Sequence, residues 1–348
     1  MSDGTDGKRR AERPRGGRGV TSYDVAVKAG VSQSAVSRCF KPGASVAPAT
    51  RKRILAAARE LGYSANAMAR GLITRRSNLV GVIISNLTNL YYPEVLADLS
   101  QRLSARDMRV LLFALRNESD IDHVLGQIWG YQVDGVIAAA RLSADQLAQF
   151  ERRGVAIVLY NRVHETAPAA SVTCEFAGGE QLLVDGLVNA GRRRFAVIGG
   201  PTDSTVGEAR VRGALARIAA AGLAPPPIAR GDFSYVSGRR AFNDLRGAGA
   251  SFDAVIAAND VMALGAMDGA RSDAGLQVPR DVAVVGFDGV APAMWAAYQL
   301  TTVRQPVGRM TQAAVDMLME RIDNPDLGPE RRVFSGELII GASADLVL

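Results

Sequence analysis

From Leu79 onward, short apolar runs alternate with amphipathic stretches. LVGVII (79–84), RVLLFAL (109–115), VDGVIAA (133–139), VAIVLY (155–160), FAVIGG (195–200), FDAVIAA (252–258) and VAVVGF (282–287) read as buried strands. Helical spacing fits between most of them. After Pro93, for example, Val95, Leu96, Leu99 and Leu103 fall on one helical face. Strands alternating with helices predict parallel sheets covered on both sides. The pattern fills residues 79–348, long for one sheet, so two lobes are expected. In such sheets ligands bind at the carboxyl ends of the strands, here between facing lobes.

Between residues 21 and 62 the apolar spacing is helical. Thr21 is placed to cap a helix, with Asp24 three residues on as its reciprocal partner. Val25, Ala26 and Ala29 give that helix a small apolar face, and Gly30 ends it. Ser32 caps a second helix running to about Phe40, with Ala35, Val36 and Cys39 spaced to pack inward. Lys41-Pro42-Gly43 is a turn, and Pro48 opens a third helix carrying Ile54, Ala58 and Leu61 inward before Gly62 stops it. Two short helices joined by a Gly-containing turn form a helix-turn-helix, whose second helix enters the major groove of DNA. Gln33, Ser34, Ser37 and Arg38 occupy its polar side and suit base edges or phosphates. The spacing alone fits equally a helical hairpin in any bundle.

Charge favours the DNA reading. The chain carries a net +6, but residues 1–76 hold sixteen Lys/Arg and five Asp/Glu, a net of +11, which leaves the remainder at −5. A basic head on a mildly acidic body is the electrostatic footprint of a nucleic-acid binder. Residues 1–19, mostly Gly, Pro and Arg, are too polar to order themselves. They fit a basic arm tracking phosphates and a solubility tail or misassigned start equally well. Two cysteines, Cys39 and Cys174, are expected far apart and unpaired, which suits a reducing cytoplasm. No apolar run reaches spanning length and no signal-peptide core opens the chain.

The run Val20-Thr21-x-Tyr23-Asp24-Val25-Ala26-x-x-Ala29-Gly30-Val31-Ser32-x-x-x-Val36-Ser37-Arg38 resembles the opening of the lac/galactose repressor family of bacterial transcription regulators. The likeness continues through Thr50-Arg51, Leu61-Gly62-Tyr63, Asn66, Ala69-Arg70 and Leu72. In the body it runs through Asn89, Val133-Asp134-Gly135, Arg210-x-x-Gly213, Ala258-Asn259-Asp260, Val284-Val285-Gly286-Phe287-Asp288 and Leu300-Thr301-Thr302-Val303-x-Gln305-Pro306. The resemblance implies an α head joined to a two-lobed, parallel-sheet α/β body of the periplasmic-binding-protein-like kind. The expected divisions are a basic arm (1–19), a helix-turn-helix domain (20–63), a hinge helix or linker (64–77) and an effector-binding and dimerisation domain (78–348). Lobe one would comprise about 78–171 and 305–331, lobe two about 172–304 and 332–348, with crossovers near Val172, near Gln305 and after Arg332.

The resemblance also supplies site residues. DNA contacts are expected from Thr21, Tyr23, Ser32, Gln33, Ser34, Ser37 and Arg38 in the head. In the linker they are expected from Asn66, Ala69 and Arg70, with Leu72 wedging a minor-groove base step. Ala65, where the family often has proline, and Gly71 make that hinge less prearranged and more dependent on DNA. Ser85, Asn89, Tyr91, Asn161, Arg210, Asn259, Asp288, Trp295 and Gln305 are the expected effector contacts, at or beyond strand ends. Asn259 and Asp288 fit helix capping as well. Asn86, Asn161, Glu175-Phe176 and Gly289 stand where the family commonly has Asp, Asp, Asp-Asn and Asp, so the sugar class of effector is a default.

The function expected is therefore a cytoplasmic, nucleoid-associated transcriptional regulator, a repressor controlled by a small polar ligand and acting as a homodimer on pseudo-palindromic operator DNA. Two heads are needed because one reads too few base pairs, and the chain ends after ELII without a heptad tail for a tetramer. No cofactor, metal or membrane partner is expected. An α/β enzyme of sugars or nucleotides is the alternative. G-x-G-x-x-G, Walker and G-x-S-x-G sequences are missing from the chain, and His123 and His164 read as surface residues. A transport receptor fits the body but not the basic head.

Overall fold

The computed structural model describes residues 20–40, 44–63, 76–85, 87, 89–115, 120–164 and 166–347. These form two separate compact units, divided at residues 75 and 76. The expected arm (1–19), the turn 41–43, the hinge residues Asn66, Ala69, Arg70 and Leu72, and Asn86 lie outside the described residues.

The head has three helices, α1 (Ser22–Ala29), α2 (Gln33–Cys39) and α3 (Pro48–Leu61). Thr21 and Asp24 form the reciprocal cap, with Thr21 N donating to Asp24 Oδ2 at 2.8 Å and Asp24 N to Thr21 Oγ1 at 3.4 Å. Ser32 Oγ accepts from Ala35 N, and Gly30 and Gly62 close their helices at φ +63° and +64°. Val25, Ala26, Ala29, Val36, Cys39, Ile54, Ala57 and Ala58 make a small buried core, closed at one side by an edge-on contact of Phe40 with Tyr63. Ala35 and Leu61, expected inside, are half-buried at its margin.

The body carries two six-stranded sheets. Sheet one has β1 (Leu79–Ser85), β2 (Arg109–Leu115), β3 (Gly135–Ala139), β4 (Ala156–Tyr160), β5 (Ser171–Glu175) and β11 (Arg331–Ser335), in the order β11-β5-β4-β3-β1-β2, all parallel. Sheet two has β6 (Phe195–Gly199), β7 (Ile228–Arg230), β8 (Ala254–Ala257), β9 (Ala283–Asp288), β10 (Thr301–Arg304) and β12 (Glu337–Ile339), in the order β12-β10-β9-β8-β6-β7. Only β12 runs antiparallel to its neighbour. The helices are α4 (Tyr91–Ser104), α5 (Ile121–Tyr131), α6 (Ala144–Arg153), α7 (Ala177–Asn189), α8 (Thr205–Ala220), α9 (Tyr235–Gly247), α10 (Asp260–Asp268) and α11 (Val307–Asp323). The inner strands β1, β3, β6 and β9 are buried on both faces, as covered parallel sheets require.

Two of the three expected crossovers shift by one strand. All of Ser171–Glu175 belongs to sheet one, and β11 pairs with it in register from Ser171↔Arg331 to Ser335↔Glu175. The chain therefore passes to lobe two after Glu175 rather than near Val172, and returns at Gly336 rather than after Arg332. Both segments are short, and neither carries a long apolar run, so what assigns them is their pairing with each other at the sheet edge. Gly336 is required where the chain turns: a Cβ there would lie 2.5 Å from Val303 Cγ1. The middle crossover is at Gln305-Pro306, as expected, and α11 then packs on α4 and on the strands of sheet one.

Candidate functional site

On α2, Ser32, Ser34, Ser37 and Arg38 are exposed, and so is Thr21 before α1. Tyr23 on α1 is 68 % exposed. Gln33 is half-buried and donates from Nε2 to Ser22 Oγ at 3.3 Å, which fixes it against α1. Arg38 Nε reaches back to the Ser34 carbonyl at 3.4 Å, a long bond that leaves its terminal nitrogens directed elsewhere. The head thus offers short polar side chains and one guanidinium on a helix anchored through Val36 and Cys39.

The strand ends of the body converge on a second site. Asn89, Tyr91 and Asn161 come from lobe one, Arg210 and Asp288 from lobe two, and Gln305 from the crossover. All six line one enclosed cavity, with Tyr92, Arg162, Ser204, Val206 and Phe233. The space between these side chains is no larger than about one water molecule needs.

A chain of hydrogen bonds crosses this cavity. Asn161 Nδ2 donates to Gln305 Oε1 at 2.7 Å, and Gln305 Nε2 donates to Asp288 Oδ1 at 2.8 Å. Arg210 Nη2 donates to the same Asp288 oxygen at 2.8 Å, and Arg210 Nη1 to the Ala258 carbonyl at 2.6 Å. Asn161 Nδ2 also reaches Tyr91 Oη at 3.2 Å, which in turn meets Tyr160 Oη at 3.2 Å, while Asn161 Oδ1 accepts from Cys174 N at 2.9 Å. Gln305 therefore links the lobes, its acceptor oxygen serving one and its donor nitrogen the other, and Asn89 of lobe one adds a side-chain bond to Asp288.

Local backbone geometry aims these groups. Asn161 (φ 51°), Phe233 (φ 66°) and Asp288 (φ 131°) all adopt positive φ, a conformation costly for non-glycine residues and concentrated where side chains must point into a site. The Phe233 ring lies against Gly200, where a Cβ would come within 2.3 Å of its Cζ. Asn259 holds the Phe233 carbonyl from Nδ2 at 3.2 Å and caps α10 through Met262 N at 3.0 Å. With both ends of its amide occupied and no exposure, Asn259 supports the cavity wall and does not line it. Trp295 is 59 % exposed after a short 3₁₀ turn and lies outside the cavity. Ser85 stands behind Arg162, accepting from its Nη2 at 3.4 Å and donating to the Ala139 carbonyl at 3.1 Å.

The electrostatics follow from burial. Arg210 is gripped between the rings of Phe176 (4.9 Å) and Phe287 (4.2 Å). Burial works against its charge, but Asp288 outweighs that and holds the guanidinium protonated. Burial pushes the Asp288 carboxyl up, with Arg210 opposing. Tyr91 and Tyr160 are raised by burial and stay phenolic. The cavity thus offers a fork donor, a carboxylate, two amides and neutral hydroxyls, a set that fits a polyhydroxylated ligand. Arg162, Tyr92, Ser204 and Val206 were not anticipated from the sequence. Arg162 directly follows Asn161, and that adjacency was the only signal. His123 pairs with Gln127 on α5, and His164 Nδ1 accepts from Ala167 N in a loop; neither lines the cavity. Among the described residues, no group of three or more His, Cys, Asp or Glu is placed to hold a metal, and no helix is long and apolar enough to cross a membrane.

Known proteins share this architecture. The family profile described as "Bacterial regulatory proteins, lacI family" matches residues 21–66, and that of the "Periplasmic binding protein-like domain" matches 184–344. Catabolite control protein A of Priestia megaterium is 31 % identical over 304 residues, covering 86 % of this chain and 91 % of that protein. The HTH-type transcriptional regulator CelR of Thermobifida fusca is 33 % identical over 330 residues, 92 % and 96 % of the two chains. The lac repressor dimer bound to operator and the anti-inducer ONPF superposes with a TM-score of 0.84 at 27 % identity, covering 95 % of this chain and all of the other. With a helix-turn-helix head, a two-lobed body and relatives matched over nearly its whole length, the chain belongs to the lacI family of bacterial regulatory proteins and is a DNA-binding transcriptional regulator.

Proposed function

We propose that this regulator is a cytoplasmic homodimeric repressor whose operator affinity is set by a small polyhydroxylated ligand in the cleft, and that it is not an enzyme. The observation that carries the proposal is the bonded series Asn161–Gln305–Asp288–Arg210, which joins both lobes through groups able to exchange their bonds for those of a ligand. CelR has been solved with cellobiose, and the lac repressor as an operator-bound dimer with ONPF. Sugars are therefore the first class to test. Thr21, Tyr23, Ser32, Gln33, Ser34, Ser37 and Arg38 are assigned to DNA, with Asn66, Ala69, Arg70 and Leu72 as a hinge on the operator. Asn89, Tyr91, Asn161, Arg210, Asp288 and Gln305 are assigned to the ligand, with Ser85 and Asn259 supporting them.

The test is operator binding by the purified chain on its own promoter DNA, titrated with a panel of mono- and disaccharides that includes cellobiose. A shift of the binding midpoint identifies the effector class, and its direction assigns induction or corepression. Sedimentation at micromolar concentration reads the assembly: a monomer or a stable tetramer would contradict the homodimer. Full operator occupancy unaffected by any polyol or sugar would remove the effector reading.

A further inference from the structure

One buried carboxyl takes no part in the bonds across the cleft. Glu180 sits in the first turn of α7, 1 % exposed and absent from the cavity lining, and its Oε2 has no hydrogen-bond partner. Its stem lies across Gly213 of α8, where a Cβ would be 3.3 Å from Glu180 Cγ, so the two helices close over it. The charged group bearing on it is Arg210, three residues before Gly213 on α8. Arg210 spends Nη1 and Nη2 on Ala258 and Asp288, but its Nε, also buried, has no partner. An unmatched acceptor and an unmatched donor are thus buried around one guanidinium.

The other surroundings are apolar or already committed. β9 and β10 bring the Phe287 ring and Val303 against the neighbouring Gly179, and Asp288 of β9 and Cys174 of β5 bear on Arg210. Farther along the α7–α8 face, Asp185 pairs with Arg217.

We propose that Glu180 is a proton-dependent positioning residue for the effector site, a second carboxyl that competes with Asp288 for Arg210 once it ionises. Burial, with Arg210 opposing, pushes the Glu180 carboxyl up to about 8. In the neutral range it is therefore protonated, and the carboxyl bonded to Arg210 is that of Asp288, both residues facing the cavity. When Glu180 ionises, Arg210 is shared between two anions on different sides, and its unmatched Nε is the donor the new carboxylate draws on. A ligand that places an acceptor on Arg210 then meets a weaker field. Its affinity is expected to fall by up to about tenfold per pH unit above the Glu180 midpoint, the limit for one linked proton. That consequence for the ligand rests on the effector reading of the cleft, whereas the proton itself does not.

The full-length protein, carrying ¹³C-labelled glutamate carboxyls and ¹⁵N-labelled arginine, is titrated between about pH 4 and about pH 10, a window chosen to bracket the unfolded and folded values. One glutamate carboxyl should titrate near 8 and vanish from the spectrum of Glu180→Gln. The Arg210 Nε signal, identified by its loss in Arg210→Lys, should show a step at the same midpoint in the wild type that is missing in Glu180→Gln, whatever the buried Asp260, pushed up to about 7, adds to both. The absence of any glutamate titrating near 8, or an Arg210 signal moving identically in both proteins, overturns the proposal.

A second, independent reading comes from thermal unfolding. A carboxyl raised in the folded state contributes stability below its unfolded value and loses it as pH climbs from 4.5 towards 8. The Tm advantage of Glu180→Gln should therefore widen across that window. A constant difference counts against the buried proton. Cellobiose is the ligand probe. Binding that weakens above the midpoint in the wild type but not in Glu180→Gln supports the link to the cleft, and binding indifferent to pH in both breaks it. Absence of cellobiose binding at every pH is a failure of the sugar reading alone, and the carboxyl titration still decides for or against Glu180.

Discussion

Arg210 and Asp288 are the residues on which the cleft turns, and their burial makes them harder to test than strand-end polarity suggests. With side chains 3 % and 1 % exposed, they form an ion pair whose halves depend on each other. Arg210→Ala removes the fork but strands a buried carboxylate, so it should cost about 3–5 kcal/mol of stability as well as the effector response. Asp288→Asn keeps a neutral acceptor beside Arg210 and is the cleaner variant. Denaturant unfolding and operator titration, run on both, should show operator binding retained and ligand response lost, with the stability loss larger for Arg210→Ala. In the head, Arg38→Ala should weaken specific binding by about 1–3 kcal/mol and relax preference at one position per half-site, read by competition among operator variants. Most of these residues were legible because polar side chains at the ends of apolar runs are few. Asn259 and Trp295 show the limit of that signal. A strand-end Asn is read the same way whether it caps a helix or meets a ligand, and only the bonds to Met262 and Phe233 decide for the first role. Arg162 escaped notice because its direction follows from the positive φ of Asn161, which spacing does not encode.

Among the elements, local signals placed the head well. The Thr21 cap, the left-handed Gly30 and Gly62 and the helical spacing of Val25, Val36 and Ile54 all act within a few residues, and all are found. Thr21→Ala should therefore cost about 1 kcal/mol of head stability, because the hydroxyl that accepts from Asp24 N and donates to Asp24 Oδ2 is lost while the backbone N–H bond to Asp24 remains. Thermal unfolding of the head, compared with Thr21→Ser, which keeps the hydroxyl, separates the cap from other effects. The strands that misplace the lobe boundaries behave differently. β5 and β11 are five residues each and pair with one another although most of lobe two and α11 lie between them in sequence, so only that distant pairing assigns them to sheet one. The crossover that follows β11 is tight. Gly336→Ala would press a methyl into Val303 and the Arg304 carbonyl and should lower body stability by about 1–3 kcal/mol. Denaturant unfolding that places Gly336→Ala within a few tenths of a kcal/mol of wild type would show that the crossover relaxes freely.

For the molecule as a whole, the question is how a ligand in the body alters DNA affinity in the head. Any such coupling is a free energy shared by the two sites, typically about 1–3 kcal/mol, and it is reciprocal. It needs an element that differs between two states of the body. Gln305 is the strongest candidate, because it lies on a chain crossover and its amide bonds Asn161 of lobe one and Asp288 of lobe two at once. Across the same hinge, Arg304 at the end of β10 reaches Glu94 of α4 at 3.6 Å, but both are about half exposed and contribute little. Gln305→Ala removes both amide bonds while leaving the Arg210–Asp288 pair and the residues proposed for DNA contact untouched. Ligand and operator should each still bind, with affinities changed by less than about tenfold, while the shift that one imposes on the other shrinks towards zero. Gln305→Glu is the informative control. Its carboxylate can still accept from Asn161 but repels Asp288, so it should bias the lobes apart and change operator affinity even without ligand. Isothermal titration of ligand with and without operator measures the coupling in both directions. If Gln305→Ala preserves the full wild-type coupling, the lobes communicate through their packed crossovers and not through this amide.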